Sequence, residues 1–451
     1  MALSKKDIAQ LVEDHRREAV TAEADLKESF FVWELAYFQK YQASELGGKS
    51  AQDRQGKSTQ YIGYLHAQIE TAVSRAMGVI FRQDAPFEVE PTGGRTVQEA
   101  KAIAALHVHS MKETRAKQLI RQMLRFMFLY GTCPVKHYWD EKWLDKGTLK
   151  PVMKGLDANG KQEWGYEPVT EPFLQYAGPD STVVDPYCFH VAPRSEDVQS
   201  ARWVQEEFIR DKDHIQKLID RGIYDPIDWD AVDVHVGDPV GHFDYQDRRR
   251  DTMGTPARQP AEGDKDEITP ALFDIVEEWR NDRVITIIGR SSPQLLRDRP
   301  NPHAHGEKPY TVFRYIDFAG EFWGLSMARQ LEGPQSELNL VRRLRSDAVL
   351  QQLQPMWRIS PMAAVGLSDD DLKWRPNGMV EMEKNDIEPL NNGALPLFGY
   401  KEEEILRSDG DFISGITDIV RGQIPSSQTA TGSSLSANFR GASLARDGQC
   451  L

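Results

Sequence analysis

Residues 320–355, GEFWGLSMARQLEGPQSELNLVRRLRSDAVLQQLQP, carry the clearest structural pattern of the chain. An aromatic-rich turn opens into a long helical pattern, which a proline and a short apolar run close. The apolar side chains recur at spacings of three, four and seven residues: Leu331, Leu338, Val341, Leu344 and Ala348. Such a stripe needs a partner surface to cover it. Because the stretch holds no catalytic constellation, it predicts assembly rather than chemistry.

Polar side chains fill the spaces between these apolar positions. They are Gln335, Asn339, Arg342, Arg343 and Arg345.

A second helix with a matching stripe is predicted after residue 398. Its pattern, KEEEILRSDGDFISGITDIVRG, has an apolar line made of Ile405, Phe412, Ile416 and Val420. Gly410 and Gly415 interrupt it, which indicates a kink or close packing against a neighbour. Between the two helices, PMWRIS and GMVEME are predicted to be short strands of a compact insert. The insert residues singled out are Trp357, Trp374 and Gly378.

The tail from Gln423 onward is rich in Ser, Thr, Gly and Ala and poor in large apolar residues. One interpretation is a flexible linker. The other is a loop presented to a moving duplex, because hydroxyls and amides hold no fixed charge that would grip phosphate. The residues that would face DNA in that case are Gln423, Ser426, Ser427, Gln428, Thr429, Thr431, Ser433 and Ser434.

The first three quarters of the chain change from helical to strand periodicity. Helices are predicted at residues 4–45, 59–81 and 97–130, the last stopped by Gly131. Strands follow, with hairpins around Asn159-Gly160 and Asn281-Asp282. Helices followed by strands predict an α+β domain. Residues 240–268 hold few apolar side chains and mixed charges, which indicates a mobile loop.

Composition limits the function classes. The 451 residues carry a net charge of −14, so the chain is not a general binder of phosphate backbones. Three cysteines are too few for a disulfide framework, and no apolar stretch reaches the ~20 residues that cross a bilayer. We therefore expect a soluble intracellular protein that contacts no membrane.

Several short motifs resemble enzyme sites but lack residues that those sites require. Gly48-Lys49-Ser50 and Gly56-Lys57-Ser58 lack the leading glycine of a phosphate loop and follow a helix rather than a strand. His303-Ala304-His305 has no further metal ligand at a paired spacing, and Asp369–Asp371 is typical of a solvated turn. We therefore expect no enzymatic activity, no metal and no cofactor.

The order of these pieces resembles the portal proteins, or head-to-tail connectors, of tailed bacteriophages, most closely the short-tailed type. The motifs that carry the resemblance are NPHAHGEKPY (301–310), GEFWGLSMARQLEGPQSELNLVRRLRSD (320–347), PMWRIS (355–360), KWRPNGMVEM (373–382) and GITDIVRGQIPSSQTATG (415–432). FMFLYGTCPVKHYWD (126–140) and DPYCFHVAP running into ARWVQEEF add weaker support. The resemblance rests on order and spacing over roughly residues 55–440.

The resemblance implies a phage portal fold with an α+β wing, long stem helices and a small α/β clip. The implied division is an N-terminal helical arm (1–54), the wing (55–330), the first stem helix (331–352), the clip (353–398), the second stem helix (399–422), the tunnel loop (423–434) and the start of a tunnel helix (435–451). Portal proteins usually continue into a helical crown, whereas this sequence stops at residue 451. We therefore expect either that the crown is missing or that the sequence is a truncated or shortened version.

By the same resemblance, identical copies form a ring of about twelve subunits at one capsid vertex. Double-stranded DNA enters and leaves through its channel without sequence-specific contact. In this resemblance Arg342, Arg343 and Arg345 are possible charges along the channel. The implied protein partners are the terminase large subunit, the major capsid and scaffolding proteins, and tail adaptors. The implied location is the portal vertex of the virion, with the host cytoplasm during assembly. Two alternatives stay open: another head–tail adaptor or internal virion protein, and a nucleic-acid-processing enzyme.

Overall fold

The computed structural model describes residues 4–41, 58–82, 86–94, 96–156, 162–232, 248–250, 253, 272–353, 357–359, 387–389 and 398–416. The chain divides into two compact units. The first, here called the sheet unit, comprises Met1–Phe31 and Ala72–Met327; the second, the helix unit, comprises Val32–Thr71 and Ala328–Leu451.

A five-stranded antiparallel sheet forms the centre of the sheet unit, in the order β3-β4-β5-β6-β7. Its strands are β3 (Phe189–Val191), β4 (Val204–Asp211), β5 (Leu272–Trp279), β6 (Arg283–Ile288) and β7 (Gln294–Pro300). The predicted hairpin around Asn281-Asp282 is confirmed, since β5 and β6 pair on either side of it. A short helix, α5 (Lys212–Asp220), follows β4 and buries Ile215.

The N-terminal helix, α1 (Lys5–Tyr37), covers one face of this sheet with its first turns. Ala9 and Val12 pack against Val276, Ile285 and Ile287, all of them buried. Burial of these aliphatic groups supplies the main attraction between helix and sheet.

Charged side chains are also buried between α1 and the sheet. The Lys27 ammonium is fully buried and lies 2.9 Å from a carboxylate oxygen of Glu23, which lies 2.9 Å from Nδ1 of His190. Burial alone would raise the pKa of Glu23, but Lys27 and His190 outweigh it and hold that pKa below its ordinary value. Lys27 also donates to the Tyr187 carbonyl oxygen at 2.9 Å. A buried charge persists only where it is paired in this way.

The opposite face of the sheet carries a second set of paired charges. Lys136 lies 2.6 Å from Glu206 and 2.8 Å from Glu277, and Arg297 lies 2.7 Å from Glu277. Burial would raise the pKa of Glu277, but Lys136 and then Arg297 lower it below its ordinary value. Lys136 belongs to a three-stranded sheet, so these pairs connect the two sheets.

That smaller sheet has the order β2-β1-β8 and is dominated by a long antiparallel ribbon. Strand β1 (Thr132–Leu156) pairs with β2 (Gln162–Val183) along its length, whereas β8 (Tyr310–Arg314) pairs only with Thr132–Lys136. Beyond Lys136 the described ribbon is two-stranded, and its Trp139 and Trp143 are more than half exposed. The predicted turn at Asn159-Gly160 lies outside the described residues.

The single helix predicted over residues 97–130 is wrong at one point. The chain forms α3 (Val97–Glu113) and α4 (Ala116–Tyr130), separated at Thr114 and Arg115. The Thr114 amide still makes a helical bond to the Ser110 carbonyl, and its hydroxyl donates to the same oxygen. Arg115 then adopts a left-handed φ of 53°, which ends α3 because a right-handed helix does not continue through this conformation.

Gly131 ends α4 as predicted, with a φ of 82° and its amide bonded to the Met127 carbonyl. The backbone of Gly324 lies so close that a Cβ on Gly131 would overlap its carbonyl oxygen. Both conditions, the positive φ and the close approach, require glycine at this position.

The helix unit contains the two long helices of the C-terminal part, α6 (Met327–Leu353) and α7 (Phe398–Ser414). Two short strands, β9 (Trp357–Ile359) and β10 (Ile387–Pro389), pair antiparallel between them in sequence. The second strand was expected at GMVEME, which lies outside the described residues. The helix predicted through residue 422 is wrong at its end, because α7 stops at Ser414 and Gly415 adopts a left-handed φ of 66°. Among the described helices, none has the length and apolar character to span a membrane.

We predict that Gly131→Ala lowers the free energy of unfolding by about 2–4 kcal/mol, because backbone strain and overlap with Gly324 add. The matched control is Gly94→Ala, since Gly94 has a similar φ of 81° but nothing within 4 Å of the added methyl group. The Gly94→Ala variant measures the backbone strain alone, and we expect it to lower the free energy of unfolding by about 1 kcal/mol. Urea unfolding followed by tryptophan fluorescence measures both. Equal losses in the two variants would show that the close approach contributes nothing.

Candidate functional site

Amide side chains on one edge of α6 hold the chain segment that leads into α2 (Tyr64–Ile80). Gln335 accepts the Leu65 amide proton at 2.8 Å and donates to the Ile62 carbonyl at 2.7 Å. Asn339 accepts the Ile62 amide proton at 3.0 Å. Gln335 and Asn339 are both buried. Here the name "clasp" is given to these bonds between α6 and residues 58–65.

One further bond extends the clasp along the helix. Asp347 accepts the Ser58 amide proton at 2.6 Å, so the segment runs antiparallel to α6. Residues 335, 339 and 347 are spaced by multiples of four and therefore share one side of the helix. The sequence pattern alone assigns no role to Gln335 and Asn339. The signal was present, because two amides at this spacing beside an apolar stripe indicate a buried polar contact.

Helix α7 packs on the start of α2 at a position that has no room for a side chain. A Cβ on Gly410 would overlap the Tyr64 hydroxyl group, so the predicted close packing at this glycine is present. The Tyr64 hydroxyl donates to Asp411 at 2.7 Å, and the Gln68 amide donates to the same oxygen at 2.6 Å.

The three arginines proposed as channel charges all have partners within the helix unit. Arg342 and Arg345 lie 3.2 Å and 2.7 Å from the Glu403 carboxylate, which connects α6 to α7. Arg407 lies 2.9 Å from the same carboxylate. The Arg343 guanidinium lies 4.7 Å from the centre of the Tyr41 ring, at cation–π distance.

The predicted apolar stripes divide into a buried set and an exposed set. Leu331, Leu338 and Ile416 are buried, and Val341 and Ala348 are half-buried. In contrast, the exposed fractions are 60% for Leu344, 52% for Ile405 and 87% for Phe412. Four further apolar side chains on the same helices are exposed and do not belong to the predicted stripes: Leu340, Leu350, Leu353 and Ile413.

Buried polar side chains of α6 are therefore hydrogen-bonded inside the unit, while several large apolar side chains of α6 and α7 are exposed. On a pair of helices alone in water, the apolar side chains would be buried and the polar ones exposed. Large exposed apolar side chains are candidates for a surface that another chain covers. We call the exposed side chains of Leu344, Ile405 and Phe412 together the apolar patch.

The remaining predicted site residues fall on parts that give no side-chain geometry. Trp357 lies on β9, of which the backbone alone is described. Trp374, Gly378, Val420 and all the tail residues from Gln423 to Ser434 lie outside the described residues.

The two histidines considered as metal ligands, His303 and His305, lie in a stack of aromatic rings. The His303 ring stacks on Trp279 at 5.7 Å and on His305 at 5.3 Å between ring centres. In the described part of the chain, no three His, Cys, Asp or Glu side chains come close enough to hold a metal ion.

The fold is of mixed α+β type, with antiparallel sheets in one unit and long helices in the other. Residues 33–435 match the family model described as phage SU10 portal protein, which is well over half of the chain. The chain therefore belongs to the phage SU10 portal protein family, and its role is that of a portal protein in the virion. No curated protein gives a significant match.

We predict that Gln335→Leu loosens the clasp, because the Leu65 amide and the Ile62 carbonyl lose their buried partner. The expected loss of unfolding free energy is about 1–3 kcal/mol. Hydrogen exchange measured by mass spectrometry should accelerate in peptides that cover residues 58–71. The control is Glu337→Leu, an exposed position on the same helix. Unchanged exchange in the Gln335 variant would contradict the clasp.

Proposed function

We propose that this portal protein is of the short-tailed phage type and that identical copies close a ring around a channel for double-stranded DNA. One observation carries the proposal: the apolar patch is exposed on α6 and α7, while Gln335, Asn339 and Glu403 already have partners inside the unit. The free energy falls when a second copy covers such a surface, because apolar area is removed from water. Contacts that join different surfaces of successive copies form a ring when the rotation closes.

The proposal keeps the division that the resemblance implies. Residues 55–330 form the wing, 353–398 the clip, and 423–434 the tunnel loop. Helices α6 and α7 overlap the two proposed stem spans, 331–352 and 399–422. The proposed ring holds about twelve copies.

The proposed partners follow from the portal role. The clip docks the terminase large subunit during packaging and tail adaptors afterwards. Major capsid and scaffolding proteins surround the ring at one capsid vertex, and assembly takes place in the host cytoplasm. The family assignment supports contacts with capsid and terminase in general.

In the proposed channel, DNA passes without being held. The chain carries a net charge of −14, and Glu403 neutralises part of the charge of Arg342 and Arg345. Because each phosphate contact adds to affinity and to its salt dependence, weak positive charge favours movement over binding. The uncharged hydroxyl and amide groups between Gln423 and Ser434 would bind the DNA phosphates only weakly.

We predict that the double variant Leu344→Asp with Phe412→Asp stays folded but remains monomeric, because two carboxylates would have to be desolvated in the contact. Sedimentation velocity and electron micrographs of the purified protein measure assembly, and circular dichroism checks folding. Its matched control, Leu344→Met with Phe412→Leu, preserves apolar character and should assemble. Leu338→Asp, at a buried position, should instead lower the melting temperature. Rings formed by the aspartate double variant would refute the apolar patch as the subunit contact.

We also predict that deletion of Gln423–Gly432 leaves ring particles of normal shape and reduces packaged or retained DNA per particle. The reason is that this segment would contact DNA and not the neighbouring subunit. Quantitative measurement of encapsidated DNA in a complementation assay tests the prediction. A replacement of equal length made of Gly and Ser serves as the control and should restore function. Normal packaging in the deletion variant would remove the tunnel-loop assignment.

A further inference from the structure

A groove in the sheet unit has a charge opposite to that of the whole chain. It lies along the end of α3, the start of α4 and Phe81, and it encloses about 800 Å³. Five basic side chains line it: Lys112, Arg115, Lys117, Arg121 and Arg125. Among the described residues that line the groove, none is acidic. In a chain with a net charge of −14, this concentration of positive charge selects an anionic partner.

Four of these basic side chains are exposed: Lys112, Arg115, Lys117 and Arg121. In the described part of the chain, no ion pair joins any of these four to a carboxylate. The buried Lys27 and the partly buried Lys136 of the same unit, in contrast, each lie within 3 Å of a carboxylate oxygen.

The floor of the groove is apolar. Val108 and Met111, three residues apart on α3, line it together with Phe81 and Phe126. The Lys117 ammonium lies over the Phe81 ring at 5.3 Å, and Phe126 makes an edge contact with Tyr130. A nucleotide chain needs open ring faces on which its bases stack, whereas aliphatic and thioether groups accept apolar side chains of a peptide. The floor therefore favours a peptide over a nucleic acid.

The start of α4 adds a second preference for carboxylates. Arg115 occupies the N-cap position in a left-handed conformation and makes no side-chain cap hydrogen bond. The first amides of a helix carry a partial positive charge and attract anionic side chains. Because Arg115, Lys117 and Gln118 all line the groove, a carboxylate held there approaches both the basic side chains and the helix start.

We infer that this groove binds an acidic amphipathic helix of a partner protein. Apolar side chains of that helix, spaced by three, four and seven residues, lie on Val108, Met111 and Phe81. Its Glu and Asp side chains meet Lys112, Lys117 and Arg121 along the rim. The groove lies wholly in the sheet unit, so this inference does not depend on the apolar patch or on ring closure.

The test uses a fluorescein-labelled synthetic peptide of roughly 16 residues, with Leu at helical spacing and Glu on both flanks. Fluorescence anisotropy with the full chain should give a Kd on the order of micromolar. A scrambled peptide of the same composition, and a version with Lys in place of Glu, should both bind at least about tenfold more weakly.

Variants of the chain separate the rim from the floor. Lys117→Glu with Arg121→Glu should weaken binding at least about tenfold, and Met111→Asp should weaken it to a similar degree. Lys101→Glu, an exposed change on α3 outside the groove, should leave the Kd unchanged. Circular dichroism melting curves confirm that each variant is folded.

Three results would overturn the inference. The first is equal binding of the designed and scrambled peptides, which would reduce the groove to a non-specific electrostatic surface. The second is a Kd unaffected by Met111→Asp. The third is tighter binding of a single-stranded oligonucleotide than of the peptide, with sensitivity to the charge-reversing variant alone, which would assign the groove to nucleic acid. None of these results would alter the ring proposal, since the subunit contact lies in the helix unit.

Discussion

The arrangement of the helix unit depends on the clasp between α6 and residues 58–65. Buried amides must find partners, and Gln335 and Asn339 find them in the backbone of a segment that lies far away in sequence. Because these bonds occupy the polar edge of α6, that edge cannot face solvent or a neighbouring copy. These bonds fix the rotation of α6 about its own axis, and in that orientation the Leu344 side chain is exposed to solvent. A polar contact inside one subunit thus determines which apolar groups are available for another.

Buried charge has a comparable role in the sheet unit. Aliphatic packing of α1 on the sheet supplies attraction without direction, whereas Lys27, Glu23 and His190 fit together in one register only. A shift of α1 by one turn would leave charges buried without partners, at a cost of several kcal/mol. Lys136 and Glu277 act in the same way between the two sheets. Paired charges therefore specify the position of elements that hydrophobic burial holds together.

Periodicity was sufficient to predict the long helices, the hairpin around Asn281-Asp282 and the glycine at the end of α4, because each follows from neighbouring residues. Contacts between distant residues were not accessible in this way. The pairing of Gln335 with Leu65 and that of Lys27 with His190 join parts of the chain that no local pattern relates. The division of the stripe is of the same kind, since Leu338 and Leu344 look alike in sequence and differ only in what lies against them. The break after Thr114 was missed because nothing in the helical pattern marks Arg115 as left-handed.

The β1–β2 ribbon has a consequence for newly made chains. Beyond Lys136, no further strand among the described residues pairs with the ribbon, so its outer backbone groups have no sheet partner there, and Trp139 and Trp143 are exposed. Open strand edges of this length invite pairing with other chains, the first step towards aggregates. The ribbon carries lysines at residues 142, 146 and 150 and prolines at 168 and 172, the residue types that block such pairing. The ribbon thus contains its own safeguard for the interval between synthesis and incorporation.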